Sequence, residues 1–326
     1  MQYTKLGNTG MKVSRLCLGT MNFGAQTDEK EAFAIMDRAL EAGINFFDTA
    51  NVYGGNGHNG RTEEIIGDWF AQGNERREQV ILGTKVYMNM HNPLDGPNGP
   101  DGISAYKIYR ELNRSLKRLN TDHVELYQIH HIVPNINWDE IFGALENVIA
   151  QGKVYYVGSS NFSARDLVFA AGAAKERHFL GFVNEQTKYS LNCRLPELEL
   201  LPAAQKLGMG VTVWGPLDGG MLAGNVIGAK TGRRAIIADS LTEYQKKQLA
   251  DYSALCKEID EKEADVALAW VLQNPAITAP TIGPRTVDQL NDLLHITEID
   301  LTPDIMDRLN EIFPGPGGAA PQAYAW

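Results

Sequence analysis

Four side chains suited to proton transfer lie at or just after three apolar runs of this chain. Asp48 ends the run from Ile44 and Tyr53 follows it, whereas Lys85 ends VILGTK and His130 ends ELYQIH. A tyrosine hydroxyl, with a pKa near ~10, is a poor acid at neutral pH, but a nearby ammonium lowers that pKa and a carboxylate keeps the ammonium charged. Because an imidazole beside the phenol can orient a carbonyl oxygen, the set suits carbonyl reduction, with Tyr53 protonating the oxygen as hydride reaches carbon.

Each of these residues alone also has a purely structural explanation. Asp48 could cap a turn, Lys85 could be a solvated charge at a strand end, and Tyr53 could be a surface aromatic. His130 and His131 could be one packed and one exposed histidine, because neighbours on a strand point to opposite faces. Their order on consecutive strand ends favours one common site.

Short apolar runs that alternate with amphipathic helical patterns must position these groups. The candidate strands are Leu16–Gly19, Ile44–Asp48, Val80–Thr84, His123–Gln128, Val154–Gly158, Gly181–Glu185, Gly210–Trp214 and Ala276–Ile282. The candidate helices are Asp28–Ala42, Thr62–Phe70, Ser104–Leu119, Trp138–Ala150, Ser163–Arg177, Pro196–Leu207, Ala264–Gln273 and Thr286–Leu294. Repeated β-α units imply parallel strands with right-handed crossovers, so we expect a closed (β/α)8 TIM barrel, with a doubly wound open sheet as the alternative. The carboxyl ends of barrel strands carry the chemistry, so the four side chains would converge there.

A glycine pattern beside Tyr53 could be mistaken for a dinucleotide-binding turn. Gly55, Gly57 and Gly60 spell G-x-G-x-x-G, but that fingerprint needs an acidic residue closing the next strand, and here the next strand ends in Lys85. We therefore predict a long βα loop that extends the rim of the substrate pocket. His58, within this loop, would face solvent or contact the substrate.

Three further segments lie outside the alternation. Gln2–Leu6 and Met11–Ser14 predict an N-terminal β-hairpin, and Met88–Gly102 predicts a second long loop rich in Gly, Pro and Asn. Residues 1–313 would form a single barrel domain. The Gly/Pro/Ala-rich tail, residues 314–326, would be a disordered extension or a flap that carries Tyr324 and Trp326 to a site.

Composition limits the classes of protein to consider. The 326 residues carry a formal net charge of −10, which argues against nucleic acid or an anionic membrane as a partner. No apolar run approaches the ~18–20 residues of a membrane span, and the start of the chain lacks the apolar core of a signal peptide. The three cysteines are far apart, so we expect neither disulfides nor a metal site, and a cytoplasmic location.

Motifs along nearly the whole chain resemble those of the aldo-keto reductase family. They are LGTMNFG (Leu18–Gly24), FFDTANVYG (Phe46–Gly54), GTK (Gly83–Lys85), ELYQIH (Glu125–His130), VGSSNF (Val157–Phe162), NEQTKYS (Asn184–Ser190), WGPLDGGMLAG (Trp214–Gly224) and TIGPRTVDQL (Thr281–Leu290). The resemblance implies a (β/α)8 barrel that binds NADP(H) without a Rossmann turn. It also implies that Asp48, Tyr53, Lys85 and His130, rather than His131, form a catalytic tetrad.

The resemblance further implies a set of cofactor-binding residues. It comprises Ser159, Ser160, Asn161 and Gln186 at the nicotinamide carboxamide, Trp214 against the nicotinamide ring, Gly215, Pro216, Leu217 and Gly219 at the pyrophosphate, and Gly283, Arg285, Gln289 and Asp292 near the adenosine 2′-phosphate. The planar fork of Arg285 suits a phosphate dianion, which favours NADPH over NADH. Two positions depart from the family pattern: Leu293 stands where an adenine-contacting Asn is common, and Thr62 replaces a Ser.

Three functions are consistent with these features. The first is an NADPH-dependent reductase of a small-molecule aldehyde or ketone, including a keto-sugar or another bulky carbonyl compound, with the oligomeric state left open. The second is a redox-sensing, NADP(H)-binding regulatory subunit resembling the potassium-channel β subunits. The third is a hydrolase or isomerase, which would need a metal-ligand cluster or paired carboxylates at the strand ends.

Overall fold

The computed structural model describes residues 1–55, 57–133, 135–230 and 232–321, and only the backbone of residues 232–234. Ten strands lie in this part of the chain. They are β1 (Tyr3–Lys5), β2 (Lys12–Ser14), β3 (Cys17–Gly19), β4 (Phe46–Asp48), β5 (Ile81–Val86), β6 (Val124–Ile129), β7 (Val154–Ser160), β8 (Phe182–Lys188), β9 (Gly210–Trp214) and β10 (Ala279–Ile282). β3 to β10 form a closed barrel in chain order, every neighbouring pair is parallel, and β10 pairs with both β9 and β3. The predicted TIM barrel is confirmed and the open sheet is excluded.

Helices surround the barrel in the described part of the chain. They are α1 (Glu29–Glu41), α2 (Arg61–Ala71), α3 (Arg76–Gln79), α4 (Ala105–Arg118), α5 (Trp138–Ala150), α6 (Ala164–Glu176), α7 (Leu200–Lys206), α8 (Gly232–Ser240), α9 (Glu243–Glu258), α10 (Glu263–Gln273), α11 (Val287–Leu293) and α12 (Pro303–Ile312). Side-chain caps begin many of them; Asp28, Ser104 and Ser163, for example, accept a hydrogen bond from the backbone of the first turn. None of the described helices combines the length and the apolar character needed to cross a bilayer.

The helix predictions fail at the start of one segment, and they miss several helices, including the short α3. The segment predicted from Pro196 begins as a 3₁₀ turn, Leu195–Glu197, and the α-helix starts only at Leu200. Helices α8, α9 and α12 were not predicted. For α9 the missed signal is a capping box, in which Thr242 and Gln245 satisfy each other's backbone N–H groups. For α12 it is Thr302 as N-cap with proline next to it.

Two layers of side chains fill the barrel. The lower layer is apolar and includes Cys17, Phe46 and Leu126, together with Leu6 and Val13 from the N-terminal hairpin. Because side chains two residues apart on a strand share a face, Asp48 follows Phe46 and Gln128 follows Leu126 into the layer above. The same alternation that builds the core therefore presents polar groups at the carboxyl ends of the strands.

The predicted hairpin is confirmed and covers the lower end of the barrel. β1 and β2 are antiparallel, and Leu6 N–H donates to Met11 O over 3.0 Å. Gly7 turns the chain with φ +55°, and a Cβ there would lie 2.6 Å from the carbonyl oxygen of Gly208. Glycine is needed at this turn both for its conformation and for the close approach of the two backbones.

The long loop between β5 and α4 is held by buried charge. Asp95 is buried and accepts hydrogen bonds from Arg110 Nε and Arg114 Nη1, each over 2.8 Å. Lys107 Nζ donates to the carbonyl oxygens of Tyr87 and Pro100 at 2.6 and 2.8 Å. Helix α4 therefore fixes both ends of the loop predicted at Met88–Gly102.

The described part of the C-terminal tail runs against the 3₁₀ turn before α7. Ala320 N–H donates to Leu198 O over 2.8 Å, and Arg194 Nη1 donates to Phe313 O over the same distance. Tyr324 and Trp326, the aromatics of the predicted flap, lie outside the described residues.

Candidate active site

The structure brings the four predicted residues together at the carboxyl ends of the barrel strands. Lys85 Nζ donates to Asp48 Oδ2 at 2.5 Å and to Thr49 O at 2.9 Å, and it lies 3.4 Å from the hydroxyl oxygen of Tyr53. The rings of Tyr53 and His130 meet edge to face with their centroids 5.8 Å apart. Lys85 is fully buried and Asp48 is nearly so, which makes their contact a buried ion pair.

Burial and the neighbouring charges act in opposite directions on Lys85 and Tyr53. Burial alone would lower the pKa of Lys85, but Asp48 and Tyr53 favour the ammonium, and the pKa is raised. The sequence predicts that the ammonium lowers the pKa of Tyr53. It does pull in that direction, but burial of the hydroxyl and the charge of Asp48 oppose it, and the pKa of Tyr53 is raised. Tyr53 is thus held as a neutral phenol, the protonated form that a proton donor requires.

His130 is held as a neutral imidazole. Burial, with contributions from the charge of Lys85 and from His131, lowers its pKa to about 3. Its Nδ1 is buried and has no hydrogen-bond partner among the described residues. A neutral imidazole keeps one ring nitrogen as a hydrogen-bond donor and the other as an acceptor.

Two glutamines complete the surroundings of Asp48. Gln186 Nε2 and Gln128 Nε2 donate to Asp48 Oδ1 at 3.0 and 3.2 Å. Gln128 in turn accepts a hydrogen bond from Asn184 Nδ2 at 3.0 Å. Gln128 was not predicted as a site residue, although it precedes His130 by two residues and pairs in register with Lys85. The missed signal was a polar side chain inside a buried strand.

Asn161 connects the tetrad to the surface of the predicted cofactor site. It follows β7 in the left-handed conformation, with φ +61°. Its Nδ2 donates to His130 O at 3.1 Å, and its Oδ1 accepts from Trp214 Nε1 at 2.9 Å. A short polar side chain tolerates this backbone conformation better than most, and here it fixes both neighbours.

The two serines before Asn161 point in different directions. Ser160 Oγ donates to Gln186 O at 2.9 Å and accepts from Asn161 Nδ2 at 3.0 Å. Ser159 is fully buried and its Oγ donates to Glu185 Oε2 at 2.5 Å. Adjacent residues on a strand face opposite ways, so the hydroxyl of Ser159 serves Glu185 while that of Ser160 stays beside Asn161.

Trp214 and the glycines after it form an open surface. Trp214 ends β9 and remains 38% exposed, whereas Trp69 and Trp270 are buried. Gly215 and Gly219 have φ values of +64° and +68°, and a Cβ at Gly219 would meet no atom within 4 Å. Pro216 is buried and Leu217 packs against the core, so they anchor this loop to the barrel.

The last group of predicted residues lies between β10 and α11. Gly283 O accepts from Asn22 Nδ2 at 2.9 Å, and Arg285 N–H donates to Gln289 Oε1 at 2.9 Å. The guanidinium of Arg285 is exposed, and among the described residues it contacts only Gln26, whose Oε1 lies 3.4 Å from Nη1. Asp292 differs, because its carboxylate already pairs with Lys262 Nζ at 3.0 Å.

The two predicted rim loops touch each other. Asn59 Nδ2 donates to Asn89 O at 3.2 Å, which joins the glycine-rich loop to the segment after β5. His58 is exposed, as is His131, whose ring lies 5.5 Å from that of Tyr87. Gly55, Gly57 and Gly60 all have positive φ and belong to the loop before α2.

The sequence also matches known proteins. Residues 15–313 match the Aldo/keto reductase family. The chain is 58% identical over 326 residues, all of both chains, to a protein of Bacillus subtilis (strain 168) named "Uncharacterized oxidoreductase YrpG". It is 31% identical to an Arabidopsis thaliana protein named "Probable voltage-gated potassium channel subunit beta", with 96% of each chain covered. It is 29% identical to "Aldo-keto reductase AMT2" of Alternaria alternata, over 95% of this chain and 90% of that one.

The barrel, the four converging side chains and a family match over nearly the whole sequence agree with the resemblance seen in the motifs. The chain belongs to the aldo/keto reductase family of oxidoreductases.

Proposed function

We propose that this protein reduces an aldehyde or ketone to an alcohol, with NADPH as the reductant and Tyr53 as the proton donor. The observation that carries this proposal is the position of the Tyr53 hydroxyl, 3.4 Å from a buried ammonium that is itself paired with a carboxylate. A phenol in this setting can release its proton, because Lys85 stabilises the phenolate that remains.

Each of the four residues has one task in this mechanism. Tyr53 holds the proton that is transferred to the carbonyl oxygen, and His130, neutral at any pH near 7, orients that oxygen beside the hydroxyl. Lys85 offsets the charge left on Tyr53, and Asp48 keeps Lys85 charged and in place. Gln128 and Gln186 hold Asp48 by its other oxygen, so the ion pair is oriented before the substrate arrives.

The residues present fit an extended nicotinamide dinucleotide. When bound, NADPH supplies the hydride. The exposed indole of Trp214 offers a flat ring to stack against, Asn161 and Ser160 lie beside it, and the glycines after Trp214 leave room for a chain of phosphates. We propose that the holding residues are Ser159, Ser160, Asn161, Gln186, Trp214, Gly215, Pro216, Leu217, Gly219, Gly283, Arg285, Gln289 and Asp292, with Ser159 acting through Glu185.

The choice of NADPH over NADH rests on Arg285. Its exposed guanidinium, held loosely by Gln26, can form two parallel hydrogen bonds with a phosphate dianion. Arg285→Ala should therefore raise the Kd for NADPH at least tenfold and leave the Kd for NADH nearly unchanged in fluorescence titrations. Equal losses for the two nucleotides would contradict a contact with the 2′-phosphate.

The substrate class follows from the rim. The loops that carry His58 and Asn89 are rich in Gly and Asn and make a polar, open border beside Tyr53. We propose that a keto-sugar or another bulky carbonyl compound enters there. The oxidation of the corresponding alcohol would use the same residues in reverse.

The experiment is to follow NADPH absorbance with the wild-type protein across a panel of aldehydes, ketones and keto-sugars. Tyr53→Phe should lower turnover about 10²–10⁴-fold while the Kd for NADPH stays the same, since the ring remains and only the donor is lost. Unchanged turnover of that variant would exclude Tyr53 as the donor.

A second function is favoured by relatives named as potassium-channel subunits, such as the Arabidopsis thaliana protein at 31% identity. On that alternative the protein binds NADP(H) and acts through a partner. Tight nucleotide binding without turnover on any member of the panel would support it over the reductase.

A further inference from the structure

A second group of ligand-type side chains lies where α10 begins, beside the segment after α11. Glu261, Asp265 and His295 each offer one ligand atom, and the three atoms lie within 4.8 Å of one another. His295 Nε2 is 3.5 Å from Glu261 Oε2 and 3.6 Å from Asp265 Oδ2. The proposed reduction uses none of these residues.

Asp265 is the least expected member of this group. Its side chain is only 1% exposed, and neither carboxylate oxygen has a hydrogen-bond partner in the part of the chain that the structure describes. Burying a carboxylate without hydrogen bonds costs several kcal/mol, roughly, unless a positive charge lies beside it. Asp265 therefore points to a missing cationic partner.

The ring of His295 is oriented as a metal ligand would be. Its Nδ1 lies 2.9 Å from Asp292 O, an acceptor, so Nδ1 carries the hydrogen. Nε2 of the neutral ring then directs its lone pair toward Glu261 and Asp265. A backbone carbonyl on the far nitrogen is the usual way in which proteins orient a metal-binding histidine.

Another histidine of the chain shows what direct contact with two carboxylates looks like. His123 Nδ1 lies 2.6 Å from Asp122 Oδ1, and its Nε2 lies 3.1 Å from Glu125 Oε1. The corresponding distances at His295 are longer than a good hydrogen bond. They match the separation of about 3.4 Å between neighbouring ligands of a tetrahedral zinc ion with bonds of about 2.0–2.2 Å.

We propose that Glu261, Asp265 and His295 bind a divalent transition-metal ion of the Zn²⁺ class. One imidazole and two carboxylates neutralise its charge and supply three ligands, and solvent can complete the coordination because His295 is 45% exposed. The imidazole favours Zn²⁺ over Mg²⁺, which prefers oxygen ligands.

Such an ion would join α10 to the segment that follows α11. The Lys262–Asp292 ion pair already links the start of α10 to the end of α11 at 3.0 Å, and Asp292 also supplies the carbonyl that orients His295. The sequence offers only a weak signal for this site. Glu261 and Asp265 are four residues apart, but the histidine comes far later in the chain. The expectation of no metal site rested on the spacing of the cysteines and did not consider these residues.

The test is a calorimetric titration of the metal-free, full-length protein with Zn²⁺, with Mg²⁺ in a parallel titration. Wild type should bind one Zn²⁺ at this site, and Asp265→Asn and His295→Gln should each weaken that binding at least tenfold. Binding of Co²⁺ should produce the visible absorption of a tetrahedral site in the wild type and not in either variant. Zn²⁺ should also raise the Tm of the wild type alone.

His123→Gln is the matched control and should leave Zn²⁺ binding unchanged, because that ring already bonds directly to its carboxylates. The proposal is overturned if wild type binds no Zn²⁺, if Mg²⁺ binds more tightly, or if Asp265→Asn binds Zn²⁺ as tightly as wild type. Thermal melts without metal show that each variant is folded, so a loss of binding reports on the site.

Discussion

Two carboxyl groups are buried near the carboxyl ends of the barrel strands, and their surroundings differ. Asp48 faces a fully buried ammonium at 2.5 Å and two amide donors. Glu185 is also fully buried, but it faces no ammonium and accepts instead from Ser159 Oγ and, at 3.1 Å, from Phe162 N–H, among the described residues. Burial raises the pKa of Glu185 to about 8, with the hydrogen bonds opposing it only in part.

The difference shows how a neighbouring positive charge decides whether a carboxyl group buried away from water is ionised. Asp48 and Lys85 form a permanent ion pair that can stabilise a phenolate. Glu185, in contrast, is neutral at pH 7 and supports its neighbours through hydrogen bonds. Glu185 supports the turn that carries Asn161. The side chain of Asn161 then hydrogen-bonds to Trp214 and to the backbone of His130. One carboxyl therefore belongs to the proposed chemistry and the other to its scaffold.

The same change from carboxyl to amide should cost much more stability at Asp48 than at Glu185. Asp48→Asn leaves Lys85 buried without its counter-charge, so we expect a loss of about 3–5 kcal/mol in the free energy of unfolding, measured by urea denaturation. Glu185→Gln at pH 6 should cost less than about 1 kcal/mol, because an amide can replace a neutral carboxyl. A loss below about 1 kcal/mol in the free energy of unfolding for Asp48→Asn would contradict the difference proposed between Asp48 and Glu185.

The pH dependence of stability should distinguish Glu185 next. Its folded pKa is about 8 and the ordinary value is 4.5, so between these values the folded state binds more protons than the unfolded state. Stability then falls as pH rises from 4.5 to 8, with a slope of up to about 1.4 kcal/mol per pH unit from this group. Glu185→Gln removes that contribution, so the variant should gain Tm relative to wild type between pH 6.5 and 8.

That range also separates Glu185 from His130. The folded pKa of His130 is about 3 against an ordinary 6.5, so the unfolded state binds more protons between those values and stability rises with pH there. Above pH 6.5 His130 contributes nothing further. A Tm difference between wild type and Glu185→Gln that stays constant from pH 6.5 to 8 would show that Glu185 is ionised in the folded state.

The smallest expected effect is the absence of a pH-dependent change in the NMR signals of His130. The ring protons of His130 should keep their NMR shifts between pH 5 and 8, because the imidazole is neutral throughout. Titration of His130 near pH 6.5 would mean that more water reaches the pocket than the structure indicates. It would weaken the contrast between the Asp48–Lys85 ion pair and Glu185, because that contrast assumes that both are shielded from water.

The order of the apolar runs and the periodicity of apolar residues predicted much of the fold. Eight apolar runs spaced by helical patterns led to the barrel, and the alternation of Phe46 with Asp48 is visible in the sequence. The helix predicted from Pro196 starts only at Leu200, because a 3₁₀ turn precedes α7, and α9 was missed because its pattern is mostly polar. Local preferences predict such ends poorly, since tertiary packing decides them.

The candidate site likewise contains residues that the sequence predicted and contacts that it did not. Asp48, Tyr53, Lys85 and His130 could be found because each stands at the end of a strand or just beyond it. Contacts between distant strands could not be found from local pattern, and the two amides on Asp48 and the pairing of Ser159 with Glu185 are of this kind.

The sequence by itself determined the barrel, the four side chains and their order, because strand-end position and residue type are local properties. Only the tertiary structure decided the direction of the pKa of Tyr53, since burial and the distances to Lys85 and Asp48 compete there. It alone also brought His295 to Asp265. Electrostatic effects depend on distance and on exclusion of water, and a folded chain sets both between residues that the sequence leaves far apart.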